Sequence, residues 1–279
     1  MVPNQNAPLV GVDAGATLAK VVLLDPSGAH RTEILPSAPL DAVARRVTEV
    51  GAARVGLTGG GAAELARSLG ATARTVNEFA AWGAGAGSLL RRQHDPPPER
   101  FLLVSLGTGT SVMHVDPHGV RRVGGTALGG GTVVGLGAAL LGTADFHRLA
   151  ELAARGDRRR VDLLVSDIYR AGEFPLVGDL TAASFGRLAR PGRTRPEPEH
   201  LAHAVMGLVG ENVALICGGL AAATGSGTVV YAGSTLRGNP ALRQVLEAVT
   251  RALGHTPLFL DEGEFAGAHG ALLQAAERG

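Results

Sequence analysis

The chain has 279 residues, of which 45% are hydrophobic and 18% are charged, so it can bury a sizeable core and does not have the composition of a disordered protein. Its length fits one large domain or two lobes of roughly 100–150 residues each. The formal net charge of +1 gives no reason to expect a nucleic acid or a membrane as a partner.

The N-terminal segment is short and polar, and it lacks the charged start and apolar centre of a signal peptide. No uninterrupted run of about 18 apolar residues follows it, so no membrane-spanning helix is expected. Cys217 is the single cysteine, and it can form neither an intrachain disulfide nor a cysteine-rich zinc site. These features predict a soluble cytoplasmic protein.

The first part of the chain alternates short apolar strands with glycine-rich turns. A hairpin is predicted at its start, with strands over residues 9–12 and 18–25 and a loop over residues 13–17. One more strand and two helices follow, over residues 54–57, 62–69 and 78–92. Three consecutive prolines at positions 96–98 interrupt the pattern and indicate a boundary between two lobes.

The same strand–loop–strand pattern recurs after the prolines. Strands are predicted over residues 101–106, 111–115 and 120–123, with a tight turn at 107–109 and a glycine-rich loop after the third strand. The remainder is mainly helical, notably over residues 201–223 and 241–253, with a late strand over residues 228–232. The sequence therefore predicts two α/β lobes, residues 1–98 and 99–279, with a mixed sheet in each.

The first loop, residues 13–20, has the chemistry of a phosphate site. Its small residues let backbone N–H groups approach phosphate oxygens, and Lys20 can supply a positive charge beside them. Asp13 can hold a magnesium ion through its water ligands, because magnesium prefers oxygen and keeps much of its hydration. An ordinary tight hairpin also favours Asp and Gly, so this loop alone leaves both interpretations open.

Two further glycine loops strengthen the prediction of a phosphate-binding protein. Residues 107–111 interleave two glycines with three hydroxyl side chains and so present many donors with little bulk. Residues 124–132 lead into an apolar helix, where free N–H groups and the helix dipole favour an anion. Each loop taken singly is compatible with a purely structural role.

The loops together make the sequence recognisable. Residues 13–20 (DAGATLAK), 107–111 (GTGTS) and 122–132 (RVGGTALGGGT) resemble the type II pantothenate kinases, which belong to the acetate and sugar kinase, actin and heat-shock chaperone superfamily. The resemblance extends to residues 58–61, 78–79, 156–158, 178–183 and 233–234. It implies a duplicated, ribonuclease H-like actin fold, with the nucleotide cleft between two lobes.

The resemblance also implies roles for individual residues. Glu78 matches the catalytic base, Thr108 and Ser111 match hydroxyls that contact pantothenate, and Arg122 matches an arginine beside the reacting hydroxyl and phosphoryl group. Phe146 falls where an aromatic side chain lies by the adenine. The positions that match contacts to ATP and its Mg²⁺ are Asp13, Ala14, Gly15, Ala16, Thr17, Leu18, Ala19, Lys20, Thr108, Gly130, Gly131, Thr132, Val133, Val134, Phe146 and Ser234, with Asp13 as the metal ligand.

Two positions depart from the pattern of the family. Ala16 stands where a second glycine is usual, and its methyl group could narrow the phosphate turn. Ala80 stands where an aspartate commonly follows the catalytic glutamate by two residues. Neither change removes a group that the resemblance assigns to catalysis.

The implied activity is ATP-dependent phosphorylation of pantothenate to 4′-phosphopantothenate, the first step toward coenzyme A, by a homodimer. The apolar segment 201–223 supports a dimer, because it is more apolar than one solvent-facing helix needs. A sugar or amino-sugar kinase of the same superfamily is one alternative, although the many such enzymes with a cysteine-rich zinc site are excluded. A non-catalytic ATP-binding switch is the other, and Glu78, Ser111 and Arg122 argue against it.

Overall fold

The computed structural model describes residues 7–169, 181–190 and 195–276. Its first sheet has five strands in the order β3-β2-β1-β4-β5, in which β1 to β3 are antiparallel and β4 and β5 run parallel to β1. Two helices, α1 and α2, cover one face of this sheet. The bounds are β1 Leu9–Ala14, β2 Leu18–Leu24, β3 His30–Pro36, α1 Leu40–Glu49, β4 Arg54–Thr58, α2 Ala62–Leu69 and β5 Ala73–Thr75.

The second sheet repeats this topology strand for strand, in the order β12-β11-β6-β7-β8, again with three antiparallel strands and two parallel ones. Four helices cover one of its faces and bury the largest cluster of apolar side chains. The bounds are β6 Phe101–Leu106, β7 Thr110–Asp116, β8 Gly119–Thr126, α4 Gly130–Leu141, α5 Phe146–Arg155, α6 Pro198–Thr224, β11 Thr228–Ala232, α7 Pro240–Ala252 and β12 Thr256–Phe259. The repeated strand–loop–strand pattern that the sequence predicts is thereby confirmed.

Two helices, α3 (Glu78–Gln93) and α8 (Ala266–Ala276), lie between the sheets, and each packs on the sheet formed by the other half of the chain. Helix α3 packs on the second sheet, whereas α8 packs on β1 and β4 of the first. Glycines make this possible: a Cβ on Gly11 or Gly56 would lie 2.0 Å from a carbonyl oxygen of α8. The two helices also touch backbone to backbone, since a Cβ on Gly85 would lie 1.8 Å from the Ala266 carbonyl oxygen.

The strands beside α8 show how alternation produces these contacts. In β1 the sequence Val10-Gly11-Val12 directs both valines toward α1 and α2 and presents the glycine to α8. Because successive residues of a strand face opposite sides of the sheet, one strand serves a side-chain core and a close backbone contact at once.

A buried polar network attaches a short antiparallel strand pair, β9 (Leu163–Leu164) and β10 (Thr181–Ala183), to α6. Glu211 accepts hydrogen bonds from Arg158 and from both the hydroxyl and the backbone N–H of Thr181, the latter two at 2.6 and 2.9 Å. Asp162 is fully buried and accepts a hydrogen bond from the Phe185 N–H at 2.8 Å. This burial raises the pKa of Asp162 to about 6, against the attraction of Arg158 at 3.9 Å.

Within the described residues, one helix, α6, is long and apolar enough to cross a membrane by length and composition. About two thirds of its most apolar stretch is buried inside the molecule, as in a core helix, so this is weak support for a membrane span. Part of the motif at residues 178–183, namely 178–180, and the start of the chain lie outside the described residues.

Candidate active site

A cleft of about 810 Å³ separates the two sheets and is lined by all three glycine loops. The loops β1–β2 and β6–β7 are the equivalent hairpin turns of the two lobes and face each other across it. Of the residues assigned from the sequence, the cleft is lined by Asp13, Gly15, Ala16, Thr17, Leu18, Lys20, Glu78, Thr108, Ser111, Gly130, Gly131, Val134, Phe146 and Ser234.

Asp13 and Lys20 are two ionisable residues on the wall contributed by the first sheet. They are directly opposite each other on β1 and β2, and each is at least nine-tenths buried. Burial raises the pKa of Asp13, Lys20 opposes this effect, and the nearby charge of Glu78 adds to it. Gly59 leaves room for the carboxylate, because at its φ of +86° a Cβ would lie 2.7 Å from Asp13 Oδ1.

Glu78 is the first residue of α3, and its exposed side chain lines the cleft. Asn77 caps this helix: its side-chain oxygen accepts a hydrogen bond from the Ala80 N–H at 3.1 Å. The cap fixes where the helix starts and thereby places Glu78 at the cleft. The sequence prediction that Glu78 opens a helix is confirmed.

The hairpin turns of the two lobes are in contact through their hydroxyl groups. Thr17 and Thr108 share a hydrogen bond of 2.9 Å, although 91 residues separate them in the chain. The turn at Thr108 is held from behind, since Thr235 donates its hydroxyl to the Gly107 carbonyl at 2.8 Å. A phosphate in the cleft would therefore lie against two loops whose positions are tied to each other.

The N-terminus of α4 differs from the sequence prediction. Free amides were expected there, but the N–H groups of Gly130 and Gly131 donate to the carbonyl oxygens of Gly107 and Thr108, at 2.8 and 2.9 Å. The expectation that these amides are free for an anion is therefore wrong. They instead join the third loop to the second, because the missing side chain of Gly129 lets the two backbones approach.

Ser111 and Arg122 lie side by side on the second sheet because of a β-bulge. Ser111 pairs with Gly125, and the register shifts so that Met113 is opposite Arg122 rather than Val123. The shift places Arg122 on the same face as Ser111 and Met113. Its exposed guanidinium lies above Gly125, where a Cβ would be 2.7 Å from Nη2, and does not itself line the cleft.

Several assigned residues lie outside the lining. The side chains of Ala14, Ala19 and Val133 are in the hydrophobic core, so any contact with a ligand would come from their backbone. Thr132 instead closes the third loop, with its hydroxyl donating to the Ala127 carbonyl at 3.2 Å. The nucleotide roles of these residues and of Thr132 stay predictions.

The lining also contains polar residues that the sequence reasoning missed, namely Ser105, His147, Thr235 and Arg237. Thr235 and Arg237 follow Gly233, whose φ of +111° and close approach to the Leu106 carbonyl oxygen, 2.3 Å from a hypothetical Cβ, require glycine. The prediction stopped at Ser234, yet the turn after this glycine continues along the cleft. A search of the residues directly after Gly233 would have found them.

Among the described residues, no group of three or more His, Cys, Asp or Glu side chains is arranged to hold a metal ion. Asp13 therefore offers a single buried carboxylate. This suits magnesium, which keeps several waters and is commonly held by one or two carboxylates together with the phosphates of a nucleotide.

Comparison with known proteins identifies relatives of the chain. A family model described as Fumble matches residues 88–274. The chain is 37% identical over 265 residues to the type II pantothenate kinase of Staphylococcus aureus strain USA300, covering 94% of this chain and 98% of that protein. The enzyme of the same name from the bovine strain RF122 matches equally well.

Solved structures with low sequence identity share the fold. The activator of the 2-hydroxyisocaproyl-CoA dehydratase from Clostridium difficile, with bound ADPNP, has a TM-score of 0.66 at 16% identity and covers 97% of this chain and 94% of its own. A ROK family glucokinase from Streptomyces griseus, in complex with glucose and AMPPNP, has a TM-score of 0.60 at 13% identity, with 97% and 100% coverage.

The two structural likenesses bear on the fold alone, and they confirm the two-lobed actin-like architecture expected from the sequence. The sequence likeness is stronger, because it spans nearly all of both chains. The chain belongs to the type II pantothenate kinase family.

Proposed function

We propose that this protein transfers the γ-phosphoryl group of ATP to the primary hydroxyl of pantothenate. The observation that carries the proposal is the convergence of Asp13, Glu78 and Ser111 on one cleft, in a chain of this family. Phosphoryl transfer needs little covalent chemistry from a protein, so a cleft that positions two substrates and stabilises charge is sufficient.

In this reaction Glu78 accepts the proton of the hydroxyl as its oxygen forms a bond to the γ-phosphorus. The bond between that phosphorus and the bridging oxygen breaks, and its electrons leave with ADP. Asp13 would hold a magnesium ion, which would supply positive charge beside the phosphate oxygens. Ser111 holds the acceptor. Arg122, whose guanidinium lies over Gly125 opposite Ser111 and outside the lining itself, balances charge that collects around the phosphoryl group.

The nucleotide occupies the part of the cleft where the two hairpin turns meet α4 and α5. Val134 and Phe146 offer apolar surface for a base, and Ser234 offers a hydroxyl. Arg237 extends this side of the cleft with a positive charge. The alanine at position 16 lies in the β1–β2 turn beside the phosphates, where its methyl group narrows the turn and weakens the binding of ATP.

The lobes are proposed to be residues 1–98 and 99–279, with α3 and α8 as the elements that connect them.

A homodimer is proposed through the outer face of α6. Leu215 and Ile216 are 44% and 37% exposed there, and Gly219 lies one turn further on the same face. Exposed apolar side chains on a helix whose other face is core are typical of a contact between subunits. Light scattering at micromolar concentration should give a dimer, and a monomeric mass would contradict it.

The decisive experiment is incubation of the purified protein with radiolabelled pantothenate, ATP and Mg²⁺. Labelled phosphopantothenate should form only when all three are present. A radiolabelled hexose in place of pantothenate should give no labelled sugar phosphate. Phosphorylation of the hexose alone would favour the sugar kinase alternative. Binding of ATP without phosphorylation of any acceptor, or ATP consumption that does not depend on an acceptor, would favour the alternative of an ATP-binding switch. The cytoplasmic location expected from the sequence stays a prediction.

A further inference from the structure

The lining of the cleft includes apolar side chains as well as the glycine loops. Four of them are Phe79 and Trp82 on α3, Met113 on β7 and, on the first sheet, Ile34 on β3. Trp82 and Met113 are 5% and 1% exposed and belong to one buried cluster, against which Phe79 packs. Together they are called the apolar wall below.

The apolar wall begins where the groups assigned to the reacting hydroxyl end. Phe79 directly follows Glu78, and Met113 lies two residues after Ser111 on the same face of β7. Across the cleft, Ile34 is directly opposite Lys20 in the pairing of β2 with β3. A hydroxyl held between Glu78 and Ser111 thus has its carbon skeleton next to these side chains.

The substrate of the proposed function has matching chemistry at this point. In pantothenate the carbon that bears the primary hydroxyl is bonded to a quaternary carbon that carries two methyl groups. Those methyl groups are only two bonds from the hydroxyl carbon, so they lie within contact distance of whatever surrounds the catalytic base. An apolar surface there gains free energy from covering them.

We infer, on the basis of the proposed function, that the apolar wall selects acceptors that have a branched carbon next to the reacting hydroxyl. It binds the two methyl groups and disfavours acceptors that carry hydroxyl groups at this position. A hexose would bring hydroxyl groups against Met113 and Ile34, where neither side chain offers a hydrogen-bond partner, and would lose their hydration. The apolar wall thereby discriminates against sugars, which are the substrates of other kinases with this fold.

The test compares two substrates on each enzyme: pantothenate and the analogue in which hydrogen replaces both methyl groups. The wild-type kcat/KM should be roughly 10–100-fold higher for pantothenate, given that a methylene in an apolar pocket discriminates about 10–200-fold. Met113→Ala and Ile34→Thr should each reduce this preference by at least about threefold. The ratio of the two kcat/KM values is independent of how much enzyme is folded, and Ile34 is only half-buried, so loss of folding in Met113→Ala does not remove the test.

Val115→Ala is the matched control. Val115 lies on the same strand and face as Met113 and packs against the same cluster, but it does not line the cleft, so its substitution should leave the preference unchanged. Equal kcat/KM for both acceptors in the wild type, or an unchanged preference in both wall variants, would overturn the inference while leaving the kinase assignment intact. Absence of any pantothenate phosphorylation by the wild type would instead refute the proposed function, and the inference with it.

Discussion

Substitution of Gly267 by alanine tests whether the position of Asp13 limits the reaction. Gly267 is the second residue of α8, and a Cβ there would lie 2.8 Å from Asp13 Oδ2 and 2.9 Å from Trp82 Nε1. Both distances are shorter than real Cβ contacts, so Asp13, Trp82 or the helix must move by several tenths of an ångström. The substitution therefore perturbs the proposed magnesium ligand without altering its chemistry.

The size of the effect follows from this geometry. Overpacking of a filled site costs about 1–3 kcal/mol, and replacing glycine by alanine in a helix returns about 1 kcal/mol, so a net loss of about 0–2 kcal/mol in unfolding free energy is expected. A misplacement of about 1 Å can lower a rate by about 10²-fold, so a shift of a few tenths should lower kcat by roughly 10-fold. The apparent affinity for Mg²⁺ should fall as well.

Three measurements separate these effects. Urea unfolding gives the change in stability, and steady-state kinetics at varied Mg²⁺ gives the change in kcat and metal dependence. Trp82 is the only tryptophan, so the emission spectrum reports directly on the perturbed contact. Gly87→Ala on α3 is the matched control, because its Cβ would meet only the flexible Arg91 side chain at 3.5 Å. A folded Gly267→Ala protein with wild-type emission, kcat and Mg²⁺ dependence would refute the reasoning.

Three further predictions concern the proposed catalytic groups and one buried acid. Glu78→Gln should lower kcat by roughly 10²–10⁴-fold with ATP binding retained in calorimetry, and retention of more than half the activity would end its assignment as the base. In steady-state kinetics Lys20→Ala should lower kcat/KM for ATP more than kcat/KM for pantothenate, whereas Arg122→Ala should raise the KM for pantothenate and lower kcat. If Arg122→Ala changed only the KM for ATP, the assigned position of the acceptor site would be wrong. Since the pKa of Asp162 is raised from 3.8 to about 6, the folded state holds this proton more tightly than the unfolded state, and stability is lost as pH rises through this window. The free energy of unfolding from urea titrations should fall by about 1 kcal/mol between pH 5 and pH 7.5 through this group, and Asp162→Asn should remove that part of the slope.

The sequence predicts the strands that carry the phosphate loops because their signals are strong. Phe101–Leu106 is a continuous apolar run closed by glycine, and its predicted bounds are confirmed, as are those of Thr228–Ala232. Strand His30–Pro36 and helix Leu40–Glu49 were missed, since the strand is half exposed with little alternation and the helix follows a proline without a capping side chain. Strand Thr256–Phe259 was missed because it is short and contains a proline, which argues against a strand.

The site was less completely predictable than the loops that form it. A glycine beside a hydroxyl residue predicts a polar surface with exposed backbone groups. Thr108 and Ser111, which lie in such a segment, do line the cleft. The face on which Arg122 lies depends on a one-residue bulge in β8, which leaves no mark in local sequence. Likewise, periodicity does not reveal that the amides of Gly130 and Gly131 are already paired with the second loop. Contacts between distant segments decide both features.

The exchange of α3 and α8 between the sheets has a consequence for biosynthesis. The face of the first sheet that α8 covers is made by β1 and β4, which are translated long before α8. At about 5–20 residues per second, the roughly 250 residues between β1 and α8 take on the order of 10–50 s to synthesise. Throughout that interval the glycine-bearing face of the first sheet has no helix to cover it. The N-terminal lobe is therefore completed only after α8 has been synthesised, and a nascent chain stalled before α8 is a natural substrate for chaperones.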